Sequence, residues 1–347
     1  MLVKKYFKSF AALFLCAFLF INAKVVMYSV RWALVVCYEK VIPSLFIFLV
    51  FSSYVAKNDI RWVFAIPLKW YCKLIKIDDD AASCFLSLSL FSGFAVGAKF
   101  LNQLSCEGYS QNALKVLSIA MINNSVSFVA FGVGIGILGN YRLGLMIFLS
   151  LSFSSLITAF VFSFFYEYNI VTSKDSSRKL SYDFSQAVRE AVEAMLVICG
   201  FVIIFYCVCE VILFYIDNLY LQLIFSALSE VTVGCVKAAS LFGKNPFLLC
   251  CILSILPLST LVQAKAFAKD AISIKTLLLS RFIHTPISLL ILSVFINLFP
   301  VSANVYSDNN VVIKGYWNSV SLSSTLFFIA LIFIIFLEKN KVFTNSK

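Results

Sequence analysis

Charge is scarce in this chain and histidine is scarcer. Of 347 residues only 13% are Asp, Glu, Lys or Arg, and one, His284, is histidine. A soluble domain carries roughly 25% charged residues, and here 61% of the chain is hydrophobic with a mean hydropathy of +0.96. That excludes an ordinary soluble domain and points to an all-α polytopic membrane protein. Motifs of catalysis are missing too. There is no GxSxG, HExxH, P-loop or GxGxxG, and no Ser/His/Asp set, so we expect no enzyme and no cofactor. The 11 cysteines contain no CxxC pair. Cys207-Val-Cys209 and Cys250-Cys251 lie in apolar runs, where cysteine behaves as a small hydrophobe, so we expect neither a metal nor a disulfide framework.

The net charge of +11 does not mark a nucleic-acid partner. Its lysines and arginines are spread over the connectors between apolar runs, as expected of residues that orient a chain in a membrane.

What is present is a series of apolar stretches, several of them interrupted. Phe10 to Ile21, after Lys4, Lys5 and Lys8, predicts a signal-anchor helix in an N-terminal unit (1–34). Val35 to Val55 predicts a second span. Lys57 to Lys76 interleaves Arg61, Lys69, Lys73 and Lys76 with Trp62, Trp70 and Tyr71, the composition of an amphipathic segment lying in the interface. Ala81–Leu101 follows, with Ser87, Ser89, Ser92, Gly93, Gly97 and Lys99 inside a hydrophobic run. A plain spanning helix needs no Ser-Gly break, whereas a broken or re-entrant helix beside a cavity does. Ala113–Leu138 carries Asn123-Asn124-Ser125 at mid-depth and glycines at 132, 134 and 136, which read as packing surface. Leu143–Tyr166 closes a first membrane unit (35–168), and 169–190 reads as a basic cytoplasmic linker.

A second unit (191–300) opens with Ala191–Ile216, which contains Glu210. Leu219–Leu241 then carries Glu230-Val-Thr232-Val-Gly234 and Lys237. Leu249–Ala268 is the second broken segment, with Pro257, Ser259, Thr260, Gln263 and Lys265. Ile274–Phe299 holds Arg281 and His284. An outer loop, a last span (Ser321–Leu337) and a basic tail make up 301–347.

The halves look related. Ala98-Lys99 matches Ala264-Lys265, and Asn124-Ser125 matches His284-Thr285, with separations of 166 and 160 residues. Such duplication is common in secondary transporters. Counting Leu219–Leu241 as a span gives eight crossings with every basic cluster inside. Counting it as interfacial gives seven crossings and an inverted repeat. The expectation is therefore two related halves, each with a broken or re-entrant helix, and about seven to eight spans.

Five motifs occur in order over roughly residues 35 to 300: Ser92-Gly93-Phe-Ala-Val-Gly97-Ala98-Lys99, Asn123-Asn124-Ser125, Glu230-Val-Thr232-Val-Gly234, Leu258-Ser259-Thr-Leu-Val-Gln263-Ala264, and Arg281-Phe-Ile-His284. In this order they resemble the sporulation integral membrane proteins typified by YlbJ, which carry the nucleoside-recognition, or Gate, domain. Phe94-Ala95 stands where that family has Tyr-Pro, and Leu261-Val262-Gln263 where it tends to have His-Ala-Gln. The resemblance implies a multi-pass protein of a bacterial membrane, the mother-cell-derived outer forespore membrane during sporulation, and movement of dipicolinic acid. Other sporulation membrane proteins or a second copy of the chain would be its partners.

For a planar dicarboxylate, Lys99 and Lys265 would supply cationic ends, and the N-termini of half-helices orphan N–H groups. Gly93 and Gly97 would admit the ligand close to the backbone, and Ser92, Asn123, Asn124, Ser125 and Gln263 would orient it. Glu230, Arg281 and His284 are candidates for coupling to a proton or sodium, or for ion pairing. Two other readings stand beside this one: a non-transporting sporulation scaffold that binds partner proteins, and a nucleoside or nucleobase permease.

Overall fold

The computed structural model describes residues 2–58, 60–168 and 183–300. The expected span Ser321–Leu337, the outer loop, the tail and most of the linker lie outside these. Among the described residues every regular element is helical. Four helical stretches among them are long and apolar enough to cross a membrane: Tyr141–Ser163, Phe184–Leu213, Ile274–Leu298 and, taken across its interruption, Pro246–Ala271. The bent pair Leu13–Ile21 and Ala23–Glu39 makes a fifth if it counts as one span. The protein is an integral membrane protein.

The N-terminal apolar run is two helices, α1 (Leu2–Ile21) and α2 (Ala23–Val36), which turn 94° at Asn22. The Asn22 side chain donates to Phe18 O and accepts from Tyr215 Oη at 2.7 Å, so the corner is fastened to the end of a later helix. A π-helical turn (Cys37–Val41) leads into α3 (Ile42–Lys57), and α4 (Arg61–Leu74) follows. Helix α4 is amphipathic as expected: Tyr71 and Cys72 are buried, Trp62, Ile66 and Trp70 are exposed, and Lys69 pairs with Asp80 at 2.6 Å.

Four of the remaining apolar segments are interrupted. The first half contains α5 (Asp80–Ser92) and α6 (Phe94–Cys106), broken at Gly93, then α7 (Gln111–Met121) and a π-helix, α8 (Ser127–Leu138), separated by residues 122–126. An unbroken helix, α9 (Tyr141–Ser163), follows. The second half starts with the long α10 (Phe184–Leu213). Next come α11 (Leu219–Ser229) and α12 (Val231–Phe242), broken at Glu230, then α13 (Pro246–Ser254) and α14 (Leu258–Ala268), broken at residues 255–257. The unbroken α15 (Ile274–Leu298) ends the described chain. The helices flanking each break run from 9 to 13 residues. At 1.5 Å per residue none alone crosses a hydrocarbon core of about 30 Å.

The order interrupted, interrupted, unbroken occurs twice. Taken in that order, α6, which bears Lys99, holds the position of α12, which bears Lys237, and α8 that of α14, which bears Lys265. Registered on the breaks, Ser92-Gly93-Phe-Ala-Val96-Gly97 lies opposite Ser229-Glu230-Val-Thr-Val233-Gly234, 137 positions on. The expected separations of 166 and 160 differ from this because Ala-Lys recurs on two neighbouring helices, α6 and α14, that pack together.

Small residues allow the breaks to meet. Gly93 has φ +89°, a conformation open to glycine, and a Cβ there would lie 2.8 Å from Ser125 N in the next break. At Gly97 a Cβ would lie 2.2 Å from the Met121 carbonyl oxygen, so α6 crosses the end of α7 with no room for a methyl group.

Candidate functional site

The breaks converge on one cavity, walled by residues from both halves. Each half contributes three pieces to its wall. The first gives Val41 and Leu45, then Ser92 to Ala95, then Asn124, Ser125 and Phe128. The second gives Ile198 and Val202, then Glu230 to Thr232, then Thr260 and Gln263.

The local physics of a broken helix sets the character of this wall. Each break exposes carbonyls of the preceding helix and amides of the following one. The carbonyls find partners. Leu253 O of α13 accepts from Asn124 Nδ2 at 2.8 Å, and Ile122 O, just past α7, accepts from the Arg281 guanidinium at 3.4 Å. The amides are treated unequally. Ser125 Oγ caps α8 by accepting from Phe128 N at 3.2 Å, and the Glu230 carboxylate caps α12 by accepting from Val233 N at 2.8 Å. No side chain caps α6, which begins after Gly93, or α14, which begins after Pro257. Two helix N-termini with no side-chain cap among the described residues therefore flank the cavity, each presenting the positive end of a helix dipole. Close by, Ser259 Oγ and Gln263 Oε1 are buried with no hydrogen-bond partner among the described residues. The rings of Phe94 and Phe128 provide flat apolar wall.

The expected site residues divide into four groups. Ser92, Gly93, Asn124, Ser125, Gln263 and Glu230 line the cavity. Asn123 stands behind it, donating to Ala120 O at 2.7 Å and accepting from Arg281 Nη1 at 3.5 Å, and Gly97 is a packing contact to Met121. The lysines are elsewhere. Lys265 Nζ pairs with Asp270 at 3.2 Å at the exposed end of α14. Lys99 Nζ donates to Glu190 O at 3.2 Å and lies over the Phe267 ring. They do not form a pair of cationic ends for a ligand, because Lys99 lies midway along α6 and Lys265 in the last turn of α14, each about two turns past its break at 3.6 residues per turn, and each is engaged away from the cavity.

Arg281 and His284 are buried, and neither bonds to Glu230. His284 Nε2 is 3.2 Å from Leu151 O of α9, and the Arg281 guanidinium has no carboxylate partner among the described residues. Sequence reasoning did not single out the wall residues Val41, Leu45, Phe128, Ile198, Val202 and Thr232 as site residues. Phe128 and Thr232 were within reach, lying one turn after the Asn motif and two residues after Glu230. The aliphatic four had no distinguishing signal.

No family model, curated protein or solved structure matches this chain.

Proposed function

We propose that this protein is a secondary transporter of a small anionic metabolite, with dipicolinate as the candidate substrate that the family resemblance supplies. The observation that carries the reading is the pair of uncapped helix N-termini, α6 and α14, on one cavity. Unwound backbone inside a membrane protein is tolerated where it borders a cavity, and half-helix N-termini there favour the anionic groups of a substrate. Two such ends suit a molecule with two carboxylates, and Phe94 and Phe128 suit a flat ring. Asn124, Thr232, Thr260 and Gln263 would orient the ligand through neutral hydrogen bonds.

The repeated element order supports a duplicated core, with α5 to α9 answered by α11 to α15. On this reading the two halves are an inverted repeat of seven or eight crossings, and the cavity lies at their junction. The membrane would be the outer forespore membrane, and the coupling ion a proton or sodium.

A nucleoside or nucleobase permease is the second reading. It is favoured by the wall itself, which has no lysine or arginine and one carboxylate. Uptake of labelled dipicolinate, uridine and adenine into proteoliposomes separates the readings. Saturable dipicolinate uptake, blocked by unlabelled dicarboxylate and not by nucleosides, supports the first. Uptake of uridine or adenine alone supports the second. Folded protein that carries none of them leaves the non-transporting scaffold.

A further inference from the structure

We infer that Glu230 is the proton-binding group of this transporter, so that anion and proton load into the cavity together; the inference rests on the transport reading above. Among the described residues Glu230 is the one Asp, Glu, Lys, Arg or His in the cavity wall, and only 2% of its surface is exposed. It has no ion-pair partner among the described residues. A carboxylate held this way is costly in its charged form and cheap in its neutral one.

What favours its charged form is the Val233 amide at the start of α12, not a cation in contact with it. Tyr206, Cys209 and Glu210 of α10, Cys37 of the π-helical turn, and Cys235 and Lys237 of α12 are the titratable groups around it, and Lys237, the one cation of these, makes no ion pair with it. The packed elements α8, α11 and α13 contain no Asp, Glu, Lys, Arg or His, and in α14, whose Thr260 and Gln263 share the cavity wall, the one such residue, Lys265, pairs with Asp270.

Folding does not account for the carboxylate. In the first half the same position is Gly93, and α6 begins there with no side-chain cap. A neutral Asn or Ser would serve as well as Glu for a cap. What Glu adds is a proton that can come and go beside the two uncapped N-termini. With Glu230 ionised, an arriving anion shares the cavity with a like charge. With Glu230 protonated, the repulsion is gone and the carboxylic acid offers an O–H donor. Proton binding and anion binding thus favour each other, and by linkage the effect is reciprocal.

The test is dipicolinate transport by the full chain in proteoliposomes under an imposed pH gradient, with internal pH followed by a trapped dye. Wild-type protein is expected to concentrate dipicolinate down the proton gradient and to acidify the lumen as it does so. E230Q is expected to lose accumulation, leaving equal concentrations on both sides, with an exchange rate that no longer varies with pH. E230D keeps a titratable carboxylate and is expected to keep gradient-driven accumulation. Dipicolinate uptake by wild type that ignores the proton gradient, or that moves no protons, overturns the inference and leaves transport standing. So does E230Q that still accumulates substrate. Absence of any dipicolinate exchange by wild type overturns the transport reading itself. Lumen acidification needs no variant, so the inference stays testable if E230Q fails to fold.

Discussion

The breaks at Gly93 and Glu230 hold the same place in the two halves and solve the same problem differently. Both interrupt a helix for one residue, and in both the next turn carries Val-Gly, at Val96-Gly97 and Val233-Gly234. At Gly93 the chain turns by adopting a positive φ and leaves the following helix with no side-chain cap. At Glu230 the backbone stays extended (φ −149°, ψ 131°) and the side chain caps the following helix. One break is shaped for backbone, the other for a carboxylate. The two breaks thus place an electropositive helix end and an acidic side chain on one cavity.

Substitution at the two Val-Gly glycines tests this equivalence hardest. Gly97→Ala puts a methyl group 2.2 Å from the Met121 carbonyl oxygen, and Gly234→Ala puts one 2.7 Å from Ala227 Cα. Each is expected to cost about 1–3 kcal/mol or more by overpacking, with Gly97→Ala the worse, read as loss of monodisperse protein and lowered Tm in detergent. An alanine tolerated at 234 breaks the correspondence.

At the breaks themselves, Gly93→Ala forces an L-residue into a glycine-only conformation, at about 1–3 kcal/mol. Glu230→Ala loses a helix cap, at about 1 kcal/mol. Tm of the two variants should fall in that order. A larger fall for Glu230→Ala would make the carboxylate a structural group first.

Arg281 has no acidic partner among the described residues, so Arg281→Met removes a buried charge along with its bonds to Ile122 and Asn123. Removing an uncompensated buried charge offsets the lost bonds, and Tm is expected to hold or rise by a few degrees. A marked fall would show that the guanidinium holds the 122–126 break in place. The smallest effect belongs to Lys265→Ala, which removes a surface pair worth less than about 1 kcal/mol. Tm and dipicolinate uptake should both stay at wild-type values, and lost uptake would return Lys265 to the binding site.

Much of this architecture was legible in the residues. Ser92-Gly93 marked a break because glycine is the cheap way to turn a chain within an apolar helix, and Pro257 marked another by removing an amide. Asn123-Asn124 in an apolar run required partners, and found them in Ala120, Leu253 and Arg281. The break at Glu230 was not read as one, since a lone acidic residue in a span looks the same in sequence whether it caps a new helix or faces a partner. The lysines misled because their charge is plain in sequence and their direction is not. Lys99 reaches past the cavity to Glu190 because α10 packs at that end of the bundle.

Lys57 on α3 and Glu190 on α10 meet at 2.6 Å, each about a third exposed, and theirs is the one ion pair joining the two halves among the described residues. Deeper in, the halves are joined by neutral bonds such as Asn124 to Leu253. Dissolved salt reaches the first kind of tie and not the second. The bundle therefore has two kinds of fastener: ionic strength loosens the one at Lys57, while the buried seam keeps its grip.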